Sequence, residues 1–158
     1  MEILFKAIPT QIARTYQNGE LDENKEKPEL VKSDGTGNPC RHCLTEIPEG
    51  RGMLILNFRP LVARITPYSE TGPIFLCEDK CKRHIDSRVL PDMFKGWENI
   101  LIRGYSSEGR IVYGTGSVIK MNEVVTVAKR LFEDSKVEYI HMRSASYNCY
   151  QGRIERMS

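Results

Sequence analysis

A chain of 158 residues with 40 % hydrophobic and 28 % charged side chains has the size and balance of one soluble globular domain, 1–158, which excludes a disordered or fibrous chain. Its 23 basic and 21 acidic side chains leave a formal charge of +2, too small to point to a polyanionic partner. No stretch reaches the roughly 18 to 20 apolar residues of a membrane span, and Met1–Pro9, with Glu2 and Lys6 among its apolar residues, is unlike a secretion signal. These features place the protein in the cytoplasm, where thiols stay reduced and five cysteines favour metal binding, catalysis or burial over a disulfide framework.

In chain order, residues 3–8 read as an edge strand closed by Pro9, and Thr10–Tyr16 as one or two helical turns. Residues 17–39 are rich in Glu, Asp, Lys, Asn, Gly and Pro and read as a long polar surface loop. After the turn signal Pro48–Gly52, the apolar run Met53–Phe58 predicts a central strand, and Ile74–Cys77 a shorter one. A helical turn over Cys81–His84 would put Cys81 and His84 on one face. Ile100–Tyr105 and Arg110–Tyr113 flank Ser106–Gly109 as the arms of a hairpin. Gly114-Thr115-Gly116 reads as a bend; it lacks the third glycine and the Lys-Ser/Thr ending of a phosphate loop. Ser117–Lys120 continues as strand. Asn122 reads as the N-cap of the clearest helix, about 123–134, whose apolar face is Val124, Ala128 and Leu131 with Val125 and Phe132. Val137–Met142 is a further strand. The fold class is α+β, with a mainly antiparallel sheet.

Two cysteine pairs carry the chemistry: Cys40-Arg41-His42-Cys43, and Cys77 with Cys81 four residues on. Two cysteines on one short loop supply half of a tetrahedral zinc site, and a second pair closes it. The set is Cys40, Cys43, Cys77 and Cys81, with His84 or His42 as an alternative ligand. Thirty-three residues separate the pairs, so a strand must bring them together, and Leu44 stands where a tight knuckle expects a small residue. A closed four-ligand site is structural, because catalytic zinc keeps a position open. Burial of reduced cysteines is the bland alternative. A dithiol redox motif fits less well, because Cys40–Cys43 is not placed between a strand and a helix.

The segment from His141 to Arg156 is dense in groups able to bind or react. A strand ending in His141 and Arg143 at a sheet edge, followed by a polar loop, would present imidazole, guanidinium and the Cys149 thiol together. Cys149 as nucleophile with His141 makes a cysteine-dependent transferase or hydrolase, with Arg143, Arg153 or Arg156 holding a carboxylate or phosphate. The competing reading packs His141 and Cys149 and solvates the arginines. Tyr147 and Tyr150 among arginines leave weak nucleic-acid binding as a third class.

Pro39-Cys40-Arg41, Leu54-Ile55-Leu56-Asn57, Pro67-Tyr68, Pro73-Ile74-Phe75 and the ending from Ile140-His141 through Cys149-Tyr150 to Arg153-Ile154-Glu155-Arg156 resemble the bacterial domain-of-unknown-function family 1203. The resemblance spans nearly the whole chain and implies one compact domain of bacterial cytoplasmic origin, without bringing an activity. It also implies that the fold does not require the metal, since many relatives match Cys40 without a partner at Cys43 or a second pair. The four-cysteine site is then a subgroup addition that staples the long loop. Some relatives have cysteine where this chain has Gly152, a departure that weakens any second metal or dithiol site at Cys149. The leading expectation is a small α+β protein with a structural zinc and a binding or accessory role.

Overall fold

Most short apolar or alternating runs become strands, and among the described residues two segments become α-helices. The computed structural model describes residues 1–60 and 64–158. Among them, β1 (Ile3–Lys6), α1 (Thr10–Gln17), β2 (Glu29–Lys32), β3 (Gly52–Phe58), β4 (Gly72–Cys77), β5 (Asn99–Tyr105), β6 (Ser117–Lys120), α2 (Val124–Leu131), β7 (Tyr139–Ser144) and β8 (Tyr150–Arg156) follow in order. The class is α+β, and every strand ladder in its two sheets is antiparallel. No helix among the described residues is long and apolar enough to cross a membrane. The chain gathers into two compact units, one of Met1–Lys6, Pro60–Glu70 and Asp86–Ser158, the other of Ala7–Arg59 and Thr71–Ile85.

The first unit is built on a five-stranded sheet in the order β1-β8-β7-β5-β6. Side chains alternate across its strands, so Ile140 and Met142 of β7, Ile100 and Ile102 of β5, Ile154 of β8 and Ile3 and Phe5 of β1 share one face. These residues are buried together with Val124, Val127, Ala128 and Phe132 from α2 and its exit. Each such aliphatic side chain contributes about 1.5–3 kcal/mol on burial, which fixes the register of the sheet. β7 is the central strand, bonded to β5 and β8, so the segment starting at His141 does not lie at a sheet edge as expected. The hairpin turn forms at Ser106–Gly109, where Ser106 N donates to Arg110 O at 2.8 Å. Its second arm shrinks to a single bridge between Tyr105 and Ile111, and β5 pairs with β6 instead. Asn122 does not cap α2: residues Met121–Glu123 wind as a 3₁₀ turn, and Met121 is anchored by its amide on Glu98 O and its buried side chain.

The second unit carries the sheet β2-β3-β4, with β3 central as its apolar run predicts. Leu54, Leu56, Ile74 and Leu76 are buried on one face of the β3–β4 pair. The stretch 17–39 is not all surface loop. Glu29–Lys32 pairs with β3, and Asp22, Ser33 and Asn38 are buried. The order comes from polar contacts that hydropathy does not register. The Asp22 carboxylate accepts the amides of Asn24, Glu26 and Asn57, which offset its burial and hold its pKa below the usual carboxylate range. Ser33 Oγ donates to Ile47 O at 2.6 Å.

Candidate functional site

β4 joins the two cysteine pairs. It ends at Cys77, and the loop of the first pair docks on its edge, with Arg41 N donating to Phe75 O at 3.1 Å and Cys40 bridging Phe75 in parallel. Cys40 N to Thr45 O at 3.0 Å and Leu44 N to Cys40 O at 2.9 Å close the turn. Leu44 takes the left-handed φ of 52° that favours glycine, a cost of about 1–2 kcal/mol which its buried side chain offsets. α1 grips the second pair. Arg14 donates to Cys81 O at 2.8 Å, and Gln17 Nε2 to Cys77 O at 2.9 Å and Asp79 O at 3.0 Å.

Cys40, Cys43, Cys77 and Cys81 thereby converge, with all four sulfurs within 4.8 Å of one another, and such a group could hold a metal ion. Cys40 to Cys81 and Cys43 to Cys77 are each 3.9 Å, nearly twice a disulfide bond, and the thiols are free. Cys40 is fully buried; the other three are half-buried beside a cleft of about 580 Å³ lined also by Arg51, Lys82 and His84. The thiols share their protons unequally. Hydrogen bonds from Cys40, Cys77 and Cys81 pull Cys43 far below the usual thiol range, while Cys40, Cys43 and Cys81 push Cys77 up. For Cys40, Cys43 acts to raise the pKa, but Cys77 and Cys81 outweigh it and bring the value to about 7. Four thiolates this close require a cation to ionise together.

Neither His42 nor His84 belongs to the converging group. His42 is fully buried, with Nδ1 3.0 Å from Cys81 Sγ and Nε2 2.9 Å from Thr10 Oγ1. A neutral ring satisfies both contacts: Nδ1–H donates to the Cys81 sulfur and Nε2 accepts the Thr10 hydroxyl proton. Burial, then the charges of Arg14 and Arg83, keep its pKa low. The expected helical turn over Cys81–His84 does not form. His84 N bonds His42 O at 2.9 Å, Arg83 reaches the carbonyls of Ala7 and Ile8, and the segment has no regular secondary structure.

In the first unit, the face of the sheet opposite the α2 core gathers another polar group. Register aligns Lys6 of β1, Arg153 of β8, His141 of β7 and Arg103 of β5 in one cross-strand row. Tyr139 and Tyr105 lie on one side of it, stacked at 5.3 Å, and Arg143 with Tyr150 on the other. His141 is 2 % exposed and packs against Tyr105, Tyr139 and Tyr150. Among the described residues, neither of its ring nitrogens has a hydrogen-bond partner, nor do Tyr139 Oη and Arg143 Nε, on the same face of the same strand. Each such atom costs about 1–3 kcal/mol when left unmatched. Burial first, then Arg143, Arg153 and Arg103, depress the His141 pKa, so the ring is neutral.

The other expected site residues are placed differently. Cys149 sits half-buried in the β7–β8 turn, its Sγ 3.7 Å from Tyr147 O, and no hydrogen bond joins it to His141. Arg143 donates to Asn148 O at 3.1 Å and faces Glu70 at 3.5 Å. Arg153 lies over the Tyr139 ring at 3.7 Å and pairs with Glu155 at 2.6 Å. Arg156 is on the opposite face, donating to Phe132 O and Asp134 O at the exit of α2. Sequence reasoning missed Lys6, Glu70, Arg103, Tyr105 and Tyr139. The alternation Leu101, Arg103, Tyr105 in β5 is a local signal, but only register places it beside His141.

A family profile described as protein of unknown function, DUF1203, matches residues 37–156. The chain belongs to this family. The DUF1203 span takes in all four converging cysteines and the His141, Arg103 and Arg143 face, while Lys6 lies outside it. No curated protein and no solved structure matches the chain.

Proposed function

We propose that Cys40, Cys43, Cys77 and Cys81 hold one zinc ion in a structural role, and that this DUF1203 protein is a bacterial, cytoplasmic binding or accessory protein. The observation that carries the zinc reading is the sulfur spacing. A tetrahedron with Zn–S bonds of about 2.3 Å has sulfur–sulfur edges of about 3.8 Å, against 3.9 Å for Cys40–Cys81 and for Cys43–Cys77, with all four sulfurs within 4.8 Å of one another. Four cysteines fill a tetrahedron and leave no position for water or substrate, which favours structure over catalysis. His42 supplies the outer hydrogen bond that metal-bound thiolates commonly receive. Because Phe75, Arg14 and Gln17 already hold both loops, the ion staples the second unit rather than creating it.

Metal analysis of reduced, purified protein tests this. One zinc per chain is expected, falling to near zero in Cys43→Ser. Substoichiometric zinc after careful reduction would overturn the assignment.

A further inference from the structure

The buried basic face of the first unit carries an inference about what is bound, deepening the binding role without using the zinc. Three alternate residues of the central strand, Tyr139, His141 and Arg143, each bring to the same face a buried polar atom that has no partner among the described residues. A face built only for packing would be apolar, as its reverse is at Ile140 and Met142. Charge adds a direction. Arg103 and Arg143 share one carboxylate, Glu70, at 3.0 and 3.5 Å. Across the face, among the described residues, Lys6 pairs with Asp86 and Glu155, Arg153 with Glu155, and Arg103 and Arg143 with Glu70.

We propose that this face binds a small ligand carrying a carboxylate or phosphate with a hydroxyl or amine beside it, held by Arg103, Arg143 and His141. A neutral imidazole has one N–H to donate and one lone pair to accept, so it matches an oxyanion oxygen next to a donor better than a bare anion. Arginine forks suit the planar oxygens of either anion. Glu70 is the internal competitor: its carboxylate occupies the guanidiniums that the ligand needs. His141 and the arginines are binding residues; no covalent step is involved.

The test uses the full, zinc-loaded chain with ¹⁵N-labelled histidine, titrated with glycolate, acetate and inorganic phosphate while the ring-nitrogen signals are followed. His141→Asn assigns the His141 signals. Glycolate or phosphate is expected to move them saturably, with glycolate ahead of acetate. Glu70→Gln is expected to tighten binding several-fold, and Arg103→Lys to weaken it. His141 signals that stay fixed with both glycolate and phosphate, in the wild type and in folded Glu70→Gln, would overturn the proposal. So would Glu70→Gln lowering the melting temperature without any gain in binding. Zinc content is read on the same samples, so failure here is separable from failure of the metal assignment.

Discussion

Replacing His42 by glutamine removes one hydrogen bond to Cys81 and leaves the four sulfurs in place. His42 Nδ1 lies 3.0 Å from Cys81 Sγ, and Nε2 is fixed by Thr10 at 2.9 Å. A glutamine amide reaches toward the Nε2 position but not the Nδ1 position, whereas asparagine places its amide near Nδ1. In the proposed zinc site the lost bond is to a half-buried thiolate and is worth about 1.5–3 kcal/mol. At about 1.4 kcal/mol per tenfold, that is about 10–100-fold in zinc affinity, the usual scale for outer-shell partners of metal ligands. Competition with a chromophoric chelator measures it, with near-UV circular dichroism confirming that each variant is folded. The expected order is wild type tightest, His42→Asn next, His42→Gln weakest. Equal zinc affinity in folded His42→Gln and wild type would refute the idea that His42 supports a Cys81 thiolate.

Arg14→Ala frees the Cys81 carbonyl from α1, and the zinc dissociation rate is expected to rise; a rate equal to that of the wild type would show that α1 does not brace the second pair. His141 makes stability pH-dependent. Its folded pKa is depressed, so its contribution is complete above about pH 6.5 and falls as the pH drops toward the folded value, by at most about 1.4 kcal/mol per pH unit. Urea unfolding at several pH values should show a shallower slope for His141→Phe below pH 6.5, and an unchanged slope would contradict the buried neutral ring. Arg156→Ala loses the contacts to Phe132 O and Asp134 O and should destabilise by about 1–2 kcal/mol, while the glycolate response at His141 persists. Loss of that response would contradict its placement on the other face.

The local signals in the sequence were those with short range. Gly52–Phe58 and Gly72–Cys77 are strands because continuous apolar runs end at turn residues, and α2 follows its 3.6-residue apolar face. The cysteine pairs were legible from spacing, and β4 supplies the strand needed to join them. β2 was hidden because its order depends on pairing with β3 and on neighbouring turns such as that of Asp22, rather than on its own exposed side chains. The role of His42 was hidden because its partner Thr10 belongs to a distant helix. The His141 face was only half visible. Its row runs through Lys6, Arg153 and Arg103, which come together by register between strands far apart in sequence, and its acid Glu70 belongs to no strand.

X-ray absorption at the zinc edge of the reduced, purified protein reads the ligand set of the four-cysteine site. Four sulfurs at about 2.3 Å are expected, with no nitrogen or oxygen ligand. A shell containing a histidine nitrogen, or a protein that retains no zinc, would contradict that expectation.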